Sequence, residues 1–365
     1  MLNRNCLLSL PKPIRRTKLL IEPAVRLEFS KNGNAKSALV QLNESEKERA
    51  YRATQALFLL GRIDAQPSAF VREAADMVQK YLPETYHTLR MLSDEDVPQI
   101  IVKGLPRPCP LITTPLNGTV VESDVRTQIG FLVALLGEAA ELTPFAYGSE
   151  NRGLILRAVA PVAELKGTAS SQGSANDLGM HNDNANQAMF HEAWFKPGAP
   201  FMNPYQAFVC LRARSDVPME TAALDDLLPE LEAAHGPEPA RILQSPVYDV
   251  RWPDSHLKGG QIAVAGVPVL VPDALGRMHS RYHAANISSA DANAQAALDK
   301  FHRIVSKTKS VMEIYSEPGD LLIYSNTRMM HRRRAYAANF DGSDRYYVRV
   351  YLAPAEALGG RHLID

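Results

Sequence analysis

Short strand-like runs separated by Gly, Pro, Asn and Asp dominate the chain beyond residue 150, and this pattern constrains the fold more than any other feature. The clearest runs are GLILRAVAPV, YQAFVCLRA, GVPVLV, DLLIYSN and RYYVRVYLA. Many short strands joined by turn residues are typical of a sandwich or a jelly roll. We therefore expect a mainly β protein with flanking helices, of the α+β class, whose strands form a jelly roll.

Helices are predicted in three places. Apolar residues recur at helical spacing between residues 44 and 92 and predict two amphipathic helices separated near Pro67. Residues 126–142 and 290–305 each predict one more. Residues 1–43 mix basic and apolar side chains with Gly and Asn, which predicts an N-terminal arm or an early strand. One large domain is then expected over residues 44–365, with a lid insertion around 253–287.

The composition indicates which classes of partner are not expected and which cellular compartment suits the protein. Forty basic and forty acidic residues cancel, so the field expected of a nucleic-acid-binding protein is absent. The three cysteines are far apart and odd in number, which favours a reducing cytoplasm over a disulfide framework. The first residues lack the pattern of an export signal, and no apolar run reaches membrane-spanning length. We expect a cytoplasmic protein without nucleic-acid or membrane partners.

A candidate metal site is formed by His181, Asp183 and His331. His181 and Asp183 lie two residues apart, so in an extended segment their side chains project from one face. His331 follows a strand-like run that could lie alongside them. Two histidines and one carboxylate on one face of an octahedron leave three positions open, which is typical of non-haem iron(II) oxygenases. Two positions would take 2-oxoglutarate and one would take O2.

Two arginines in the last strand-like run supply candidate anion anchors. Arg345 lies fourteen residues after His331, and Arg345, Tyr347, Arg349 and Tyr351 share one strand face. The planar guanidinium matches a carboxylate with two hydrogen bonds, so Arg345 is the predicted anchor for the far carboxylate of 2-oxoglutarate. Arg349 is predicted to bind a carboxylate of the prime substrate. The alternative is that this face looks to solvent and both side chains extend into water.

Three stretches resemble the clavaminate synthase-like branch of the taurine dioxygenase superfamily, which includes hydroxylases of free arginine, asparagine and lysine. They are SSQGSANDLGMHND, YQAFVCLRARSDVPMETAALDDL and EPGDLLIYSNTRMMHRRRAYAANFDGSDRYYVRVY. The resemblance implies a cupin-like double-stranded β-helix, with Fe(II), 2-oxoglutarate and O2 as cofactor and co-substrates. It implies hydroxylation of an unactivated C–H bond of a free amino acid or a derived small molecule. It also nominates Thr221 as a hydroxyl partner for 2-oxoglutarate.

The chain departs from the family pattern in the metal pair, the distal motif and the lid. Asp183 stands where Glu is usual, and His331-Arg332-Arg333 replaces the common His-Gly-Arg. In the lid segment RYHAAN, His283 and Ala285 occupy places where family members with cationic substrates carry acids. If the substrate is cationic, Asp254 or Asp273 is expected to supply the counter-charge; otherwise His283 is the residue expected to contact its side chain.

Other functions remain open on the sequence. The same scaffold could bind a small acid without oxidising it, and an oxygenase could desaturate or cyclise its substrate instead of hydroxylating it. A zinc hydrolase could use the same three ligands, although two inward arginines suit a dicarboxylate better than a hydrolytic water.

Overall fold

The computed structural model describes residues 25–32, 35–93, 95–252 and 260–364. Their α-helices are α1 Glu44–Phe58, α2 Pro67–Tyr81, α3 Pro83–Ser93, α4 Glu122–Leu132, α5 Leu224–His235, α6 Glu238–Ile242 and α7 Ala292–Lys307. The strands up to the first metal ligand are β1 Val25–Asn32, β2 Ala35–Leu42, β3 Gln99–Lys103, β4 Leu142–Tyr147, β5 Arg157–Val159 and β6 Leu178–His181. The later strands are β7 Tyr205–Arg212, β8 Met219–Ala223, β9 Tyr248–Arg251, β10 Ile262–Val267, β11 Leu270–Pro272, β12 Met278–Ser280, β13 Ile287–Ser288, β14 Met312–Ile314, β15 Leu321–Ser325, β16 Met329–Arg333, β17 Tyr346–Pro354 and β18 Leu363–Ile364.

Two sheets face each other and enclose the inner core. The larger sheet has the order β1-β2-β3-β15-β7-β17-β4-β18, with β5 also paired to β17, and the smaller has the order β14-β8-β16-β6. Phe208 and Leu322 of the larger sheet pack against Met219 and Met329 of the smaller one. Alternation along each strand explains this packing, because every second side chain points between the sheets. The predicted jelly roll, a double-stranded β-helix, is confirmed.

Helices cover the outer faces of both sheets. The outward side chains of β17, including Val348 and Val350, pack into one cluster with residues of α1 to α4. On the other side, Met330 of β16 joins Leu227 of α5 and Phe301 of α7. Both sheets therefore bury both faces, which explains why their strands are apolar nearly throughout.

Helix boundaries differ from the predicted ones at two points. Residues 44–93 form three helices instead of two, because Pro83 begins α3 just as Pro67 begins α2. The helix predicted at 126–142 ends as α4 at Leu132, continues as one π turn, and gives way to β4. Leu142, the last residue of the predicted helix, instead begins β4, which pairs with β17 in the larger sheet. The helix predicted at 290–305 is α7, where Asp291 caps the backbone amide of Ala294 at 2.8 Å.

The N-terminal segment and the lid contain more regular structure than the sequence indicated. Strand β2 pairs in parallel with β3, so residues 35–42 belong to the larger sheet. In the predicted lid, β10 and β13 flank β9, and β11 pairs with β12. Residues 253–259, the first part of that lid, lie outside the described residues. No helix in the described part of the chain is long and apolar enough to cross a membrane.

Candidate active site

The three predicted metal ligands come together between the sheets. His181 ends β6 and stands directly opposite His331 of β16, and Asp183 follows two residues later. The Asp183 Oδ1 atom lies 3.2 Å from His181 Nε2 and 3.8 Å from His331 Nε2. One ligand atom from each residue lies within 4.8 Å of the other two. This spacing suits a single ion held by two imidazoles and one carboxylate.

Protonation of these groups also suits metal binding. His181 Nδ1 lies 2.8 Å from the carbonyl oxygen of Gly179, which places a proton on Nδ1 and leaves the Nε2 lone pair for a metal. Burial, and then the neighbouring His181, lower the pKa of His331 to about 3. Burial acts to raise the pKa of Asp183, but Arg349 and both histidines hold it well below its usual value. At neutral pH the site therefore offers a neutral His331 and a carboxylate.

A second group of charged side chains adjoins the metal ligands. Arg349 donates to Asp183 Oδ2 at 2.6 Å and to Glu150 Oε1 at 2.7 Å. The hydroxyl of Tyr351 lies 3.2 Å from Glu150 Oε2. Glu150 was missed by the sequence analysis, because it follows β4 in a turn without a motif and meets Arg349 only through pairing across 199 positions.

These residues line one cavity of about 660 Å³. The buried Arg333, Arg345 and Arg349 and the partly buried Arg157 line it, while Glu150 and Asp183 are the carboxylates among its described lining residues. Arg157 was also missed, although an arginine inside the apolar run GLILRAVAPV is a visible signal. Buried cations in such excess require anionic ligands.

Arg345 lies at the start of β17 with only 3% of its surface exposed. Its guanidinium stacks 4.8 Å from the ring centroid of Tyr347 and makes no hydrogen bond or ion pair with any described residue. Arg333 lies nearby, over Tyr336, and donates only to backbone carbonyls. Arg345 and Arg349 are both buried, so the alternative that their strand face looks to solvent is wrong.

Two of the other predicted site residues have other partners, and a third lies outside the described residues. The buried Thr221 hydroxyl donates to Gln99 Oε1 at 2.8 Å, and Thr221 does not line the cavity. Asp273 lies outside the cavity and forms an ion pair with Arg277 at 2.7 Å, because the β11–β12 turn holds both side chains together. Asp254 lies outside the described residues.

His283 does line the cavity, beside the metal ligands. Its ring centroid lies 5.5 Å from that of His181, and burial lowers the pKa of His283 to about 4. A backbone hydrogen bond also joins the segments that carry His181 and His283, because the amide of Asn182 donates to the carbonyl of Tyr282 at 2.8 Å. The predicted lid is therefore hydrogen-bonded directly to the metal-binding segment through Tyr282.

Comparison with known proteins agrees with this geometry. Residues 250–351 match the family model described as taurine catabolism dioxygenase TauD, TfdA family. This part of the chain is similar to the TauD/TfdA family. The matched region includes His331, Arg345 and Arg349, and the predicted family resemblance is confirmed.

Curated relatives of the chain are named as enzymes that act on amino acids. The chain is 24% identical to an L-lysine 3-hydroxylase of Catenulispora acidiphila, covering 72% of this chain and 69% of the relative. It is 27% identical to an L-asparagine oxygenase of Streptomyces coelicolor, with coverage of 69% and 70%. An enduracididine beta-hydroxylase of Streptomyces hygroscopicus is 25% identical, with coverage of 76% and 83%.

Solved structures share the fold. An asparagine oxygenase in complex with Fe(II), 3-hydroxyasparagine and succinate superimposes with a TM-score of 0.72 at 23% identity, covering 89% of this chain and 98% of the other. The non-heme iron oxygenase OrfP in complex with Fe and alpha-ketoglutaric acid gives a TM-score of 0.71 at 21% identity, covering 90% and 100%.

Proposed function

We propose that this protein is an iron(II)- and 2-oxoglutarate-dependent dioxygenase that hydroxylates a C–H bond of a free amino acid or a close derivative. The observation that carries the proposal is the His181, Asp183 and His331 cluster at the wall of an arginine-lined cavity. Its donor set is that of a facial-triad iron site, and three protein ligands leave room for a chelating keto acid and O2. Lysine, asparagine and enduracididine hydroxylases among the relatives support the same chemistry.

Different residues of the chain would bind the iron and 2-oxoglutarate. His181, Asp183 and His331 would hold the iron, which supplies the oxidising power when it binds 2-oxoglutarate and O2. Arg345 is the anchor for the far carboxylate of 2-oxoglutarate, because its guanidinium is buried and lacks any anionic partner among the described residues. Arg333 adds positive charge at the same end. Thr221 is omitted from this role, since its hydroxyl already bonds Gln99.

Glu150 and Arg349 suit the head group of an amino acid. An α-amino acid presents an ammonium and a carboxylate on one carbon, and these charges match the carboxylate of Glu150 and the guanidinium of Arg349. The two side chains are already 2.7 Å apart beside Asp183. A head group bound there would hold the substrate side chain close to the metal, which is the positioning that selective attack on one carbon requires.

Two measurements test the proposal. Anaerobic protein with Fe(II) and 2-oxoglutarate is expected to show a weak visible charge-transfer band, and the band is expected to disappear in His181→Ala and Asp183→Ala. Under air, a panel of free amino acids is expected to include at least one that stimulates succinate release. His87→Ala, a change at an exposed histidine of α3, is the control.

The outcomes separate the alternatives. A band without any amino acid-dependent succinate release would favour a protein that binds small acids without oxidising them. A band that survives both ligand substitutions would remove the assigned metal site. Product mass distinguishes hydroxylation from desaturation or cyclisation, because only hydroxylation adds one oxygen atom.

A cytoplasmic location is part of the proposal. It is supported by the cysteines: Cys109 and Cys210 are both free thiols, one exposed and one buried. Fractionation of the native host, with the protein found outside the soluble cytoplasmic fraction, would contradict it.

A further inference from the structure

Two arginines stand directly opposite each other beside the metal ligands. Arg157 of β5 is paired in register with Arg349 of β17, so the two side chains lie on the same face of neighbouring strands. Both line the cavity. Like charges placed directly opposite each other in a sheet are destabilising unless anions lie between or beside them.

The two arginines differ in what neutralises them. Arg349 has Asp183 and Glu150 at 2.6 and 2.7 Å. The Arg157 side chain has no hydrogen bond or ion pair with any described residue, and its Nε atom is buried without a partner. Burial, and then the adjacent Arg349, lower the pKa of Arg157. Glu150 and Asp183 attract Arg157 and partly offset this lowering, but both bond Arg349, and neither forms an ion pair with Arg157.

The expected ligands do not supply an ion-pair partner for Arg157. The two negative charges of 2-oxoglutarate are directed to the metal and to the Arg345 end of the cavity. A zwitterionic head group would bring an ammonium for Glu150 and a carboxylate for Arg349. Arg157 remains unmatched after both are bound.

We propose that the prime substrate is an amino acid with a second carboxylate, and that Arg157 binds this group. The inference rests on the proposed function and names its substrate class. Opposite residues on antiparallel strands have Cβ atoms only about 5 Å apart, so the two carboxylates of one short dicarboxylic amino acid can reach both guanidiniums. Each would form a charge-assisted hydrogen bond, and the bidentate form is open to Arg157.

The lid end of the cavity agrees with this substrate class. A lysine or arginine side chain needs a carboxylate partner when it is buried. Within the described lining, both carboxylates bond Arg349, and Asp273 is paired with Arg277 outside the cavity. His283, which also lines the cavity, offers no negative charge to a cationic side chain.

The experiment compares acids with their own amides. Wild-type protein loaded anaerobically with Fe(II) and 2-oxoglutarate is titrated calorimetrically with aspartate, asparagine, glutamate, glutamine, lysine and arginine. At least one acid is expected to bind about 10-fold or more tightly than its amide, the effect of one charge-assisted hydrogen bond. Arg157→Gln is expected to abolish this difference and Arg157→Lys to restore part of it. Arg72→Gln, at an exposed arginine of α2, is the matched control.

The other possible results distinguish failure of the inference from failure of the proposed function. Preferred binding and turnover of an amide or a cationic amino acid would leave the proposed function standing and overturn the inference. Equal weakening of acid and amide in Arg157→Gln, or a raised 2-oxoglutarate requirement, would give Arg157 a different ligand. Failure of the whole panel to bind would also overturn it. Arg157-dependent binding of an acid without succinate release would support the anion site and reject the proposed function.

Discussion

The space between the two sheets is apolar at one end and charged at the other. At the apolar end, Leu322 and Met329 pack with Cys210, whose pKa burial raises to about 12. Met329 belongs to β16, and the next two inward-facing residues of that strand, His331 and Arg333, lie at the charged end. At both ends, every second side chain of a strand points between the sheets. The apolar end is complete without ligands, whereas the charged end needs anions and a metal.

This difference separates stability from function. Truncation at the apolar end removes packing that nothing else replaces. Removal of a charge at the other end relieves a desolvated group in the ligand-free protein and costs mainly binding or catalysis. The predictions below test whether the two ends behave in these opposite ways.

The largest expected effect is on catalysis, in His331→Ala. Loss of one of three metal ligands is expected to remove amino acid-dependent succinate release. The unfolding midpoint of the metal-free protein is expected to be retained, because no described residue is hydrogen-bonded to the buried Nδ1 of the neutral imidazole. Succinate assays and chemical denaturation in chelator check the two halves. Activity close to wild type would remove His331 from the metal site.

The next effect is on stability, in Leu322→Ala. This leucine is 3% exposed between the sheets, and its truncation is expected to lower the free energy of unfolding by about 2–5 kcal/mol. The 2-oxoglutarate requirement of the remaining folded protein is expected to stay unchanged. Leu275→Ala, at a leucine that is 77% exposed, is the control. A loss no larger than that of the control would mean that the apolar end is not tightly packed.

A smaller effect is expected in Arg345→Lys. An ammonium cannot reproduce two parallel hydrogen bonds to one carboxylate, so 2-oxoglutarate binding is expected to weaken by about 10- to 100-fold, corresponding to about 1.5–3 kcal/mol. The concentration of 2-oxoglutarate that gives half-maximal succinate release measures this, with Arg72→Lys as control. If the requirement is unchanged while stability falls, Arg345 belongs functionally to the apolar end.

Local patterns in the sequence were sufficient to predict the jelly roll and the clustering of His181, Asp183 and His331. The spacing of His181 and Asp183 needs only one extended segment, and the shared face of Arg345 and Arg349 needs only one strand. The interior position of both arginines follows from the tyrosines between them, which the structure buries.

Contacts between strands that are far apart along the chain could not be predicted from the sequence. Glu150 and Arg157 join the site because β4 and β5 both pair with β17, and no local signal specifies that pairing. Thr221 was assigned by resemblance alone, and the neighbouring strand β3 brings Gln99 to its hydroxyl instead. Asp273 was selected for its charge, and the short β11–β12 hairpin turns that charge toward Arg277.

The smallest expected effect concerns the pH dependence of stability, which also differs between the ends. Burial lowers the pKa of His331 to about 3 and that of His283 to about 4, whereas an unfolded histidine titrates near about 6.5. Below about pH 6.5 the unfolded chain therefore binds more protons than the folded chain. The stability of the metal-free protein is fully present above that pH and is lost as the pH falls toward the folded pKa values.

His331→Gln is expected to make this loss shallower, because one of the groups that resist protonation in the folded state is removed. Urea denaturation in chelator between about pH 7 and pH 5 gives the slope, with His87→Gln at the exposed site as control. Leu322→Ala should shift the whole curve down without changing its slope, since no titrating group is lost. A slope that is the same in wild type and His331→Gln would mean that His331 accepts a proton in the folded protein as readily as in the unfolded chain. The charged end would then tolerate an additional positive charge without its anionic ligands, contrary to the distinction between the two ends.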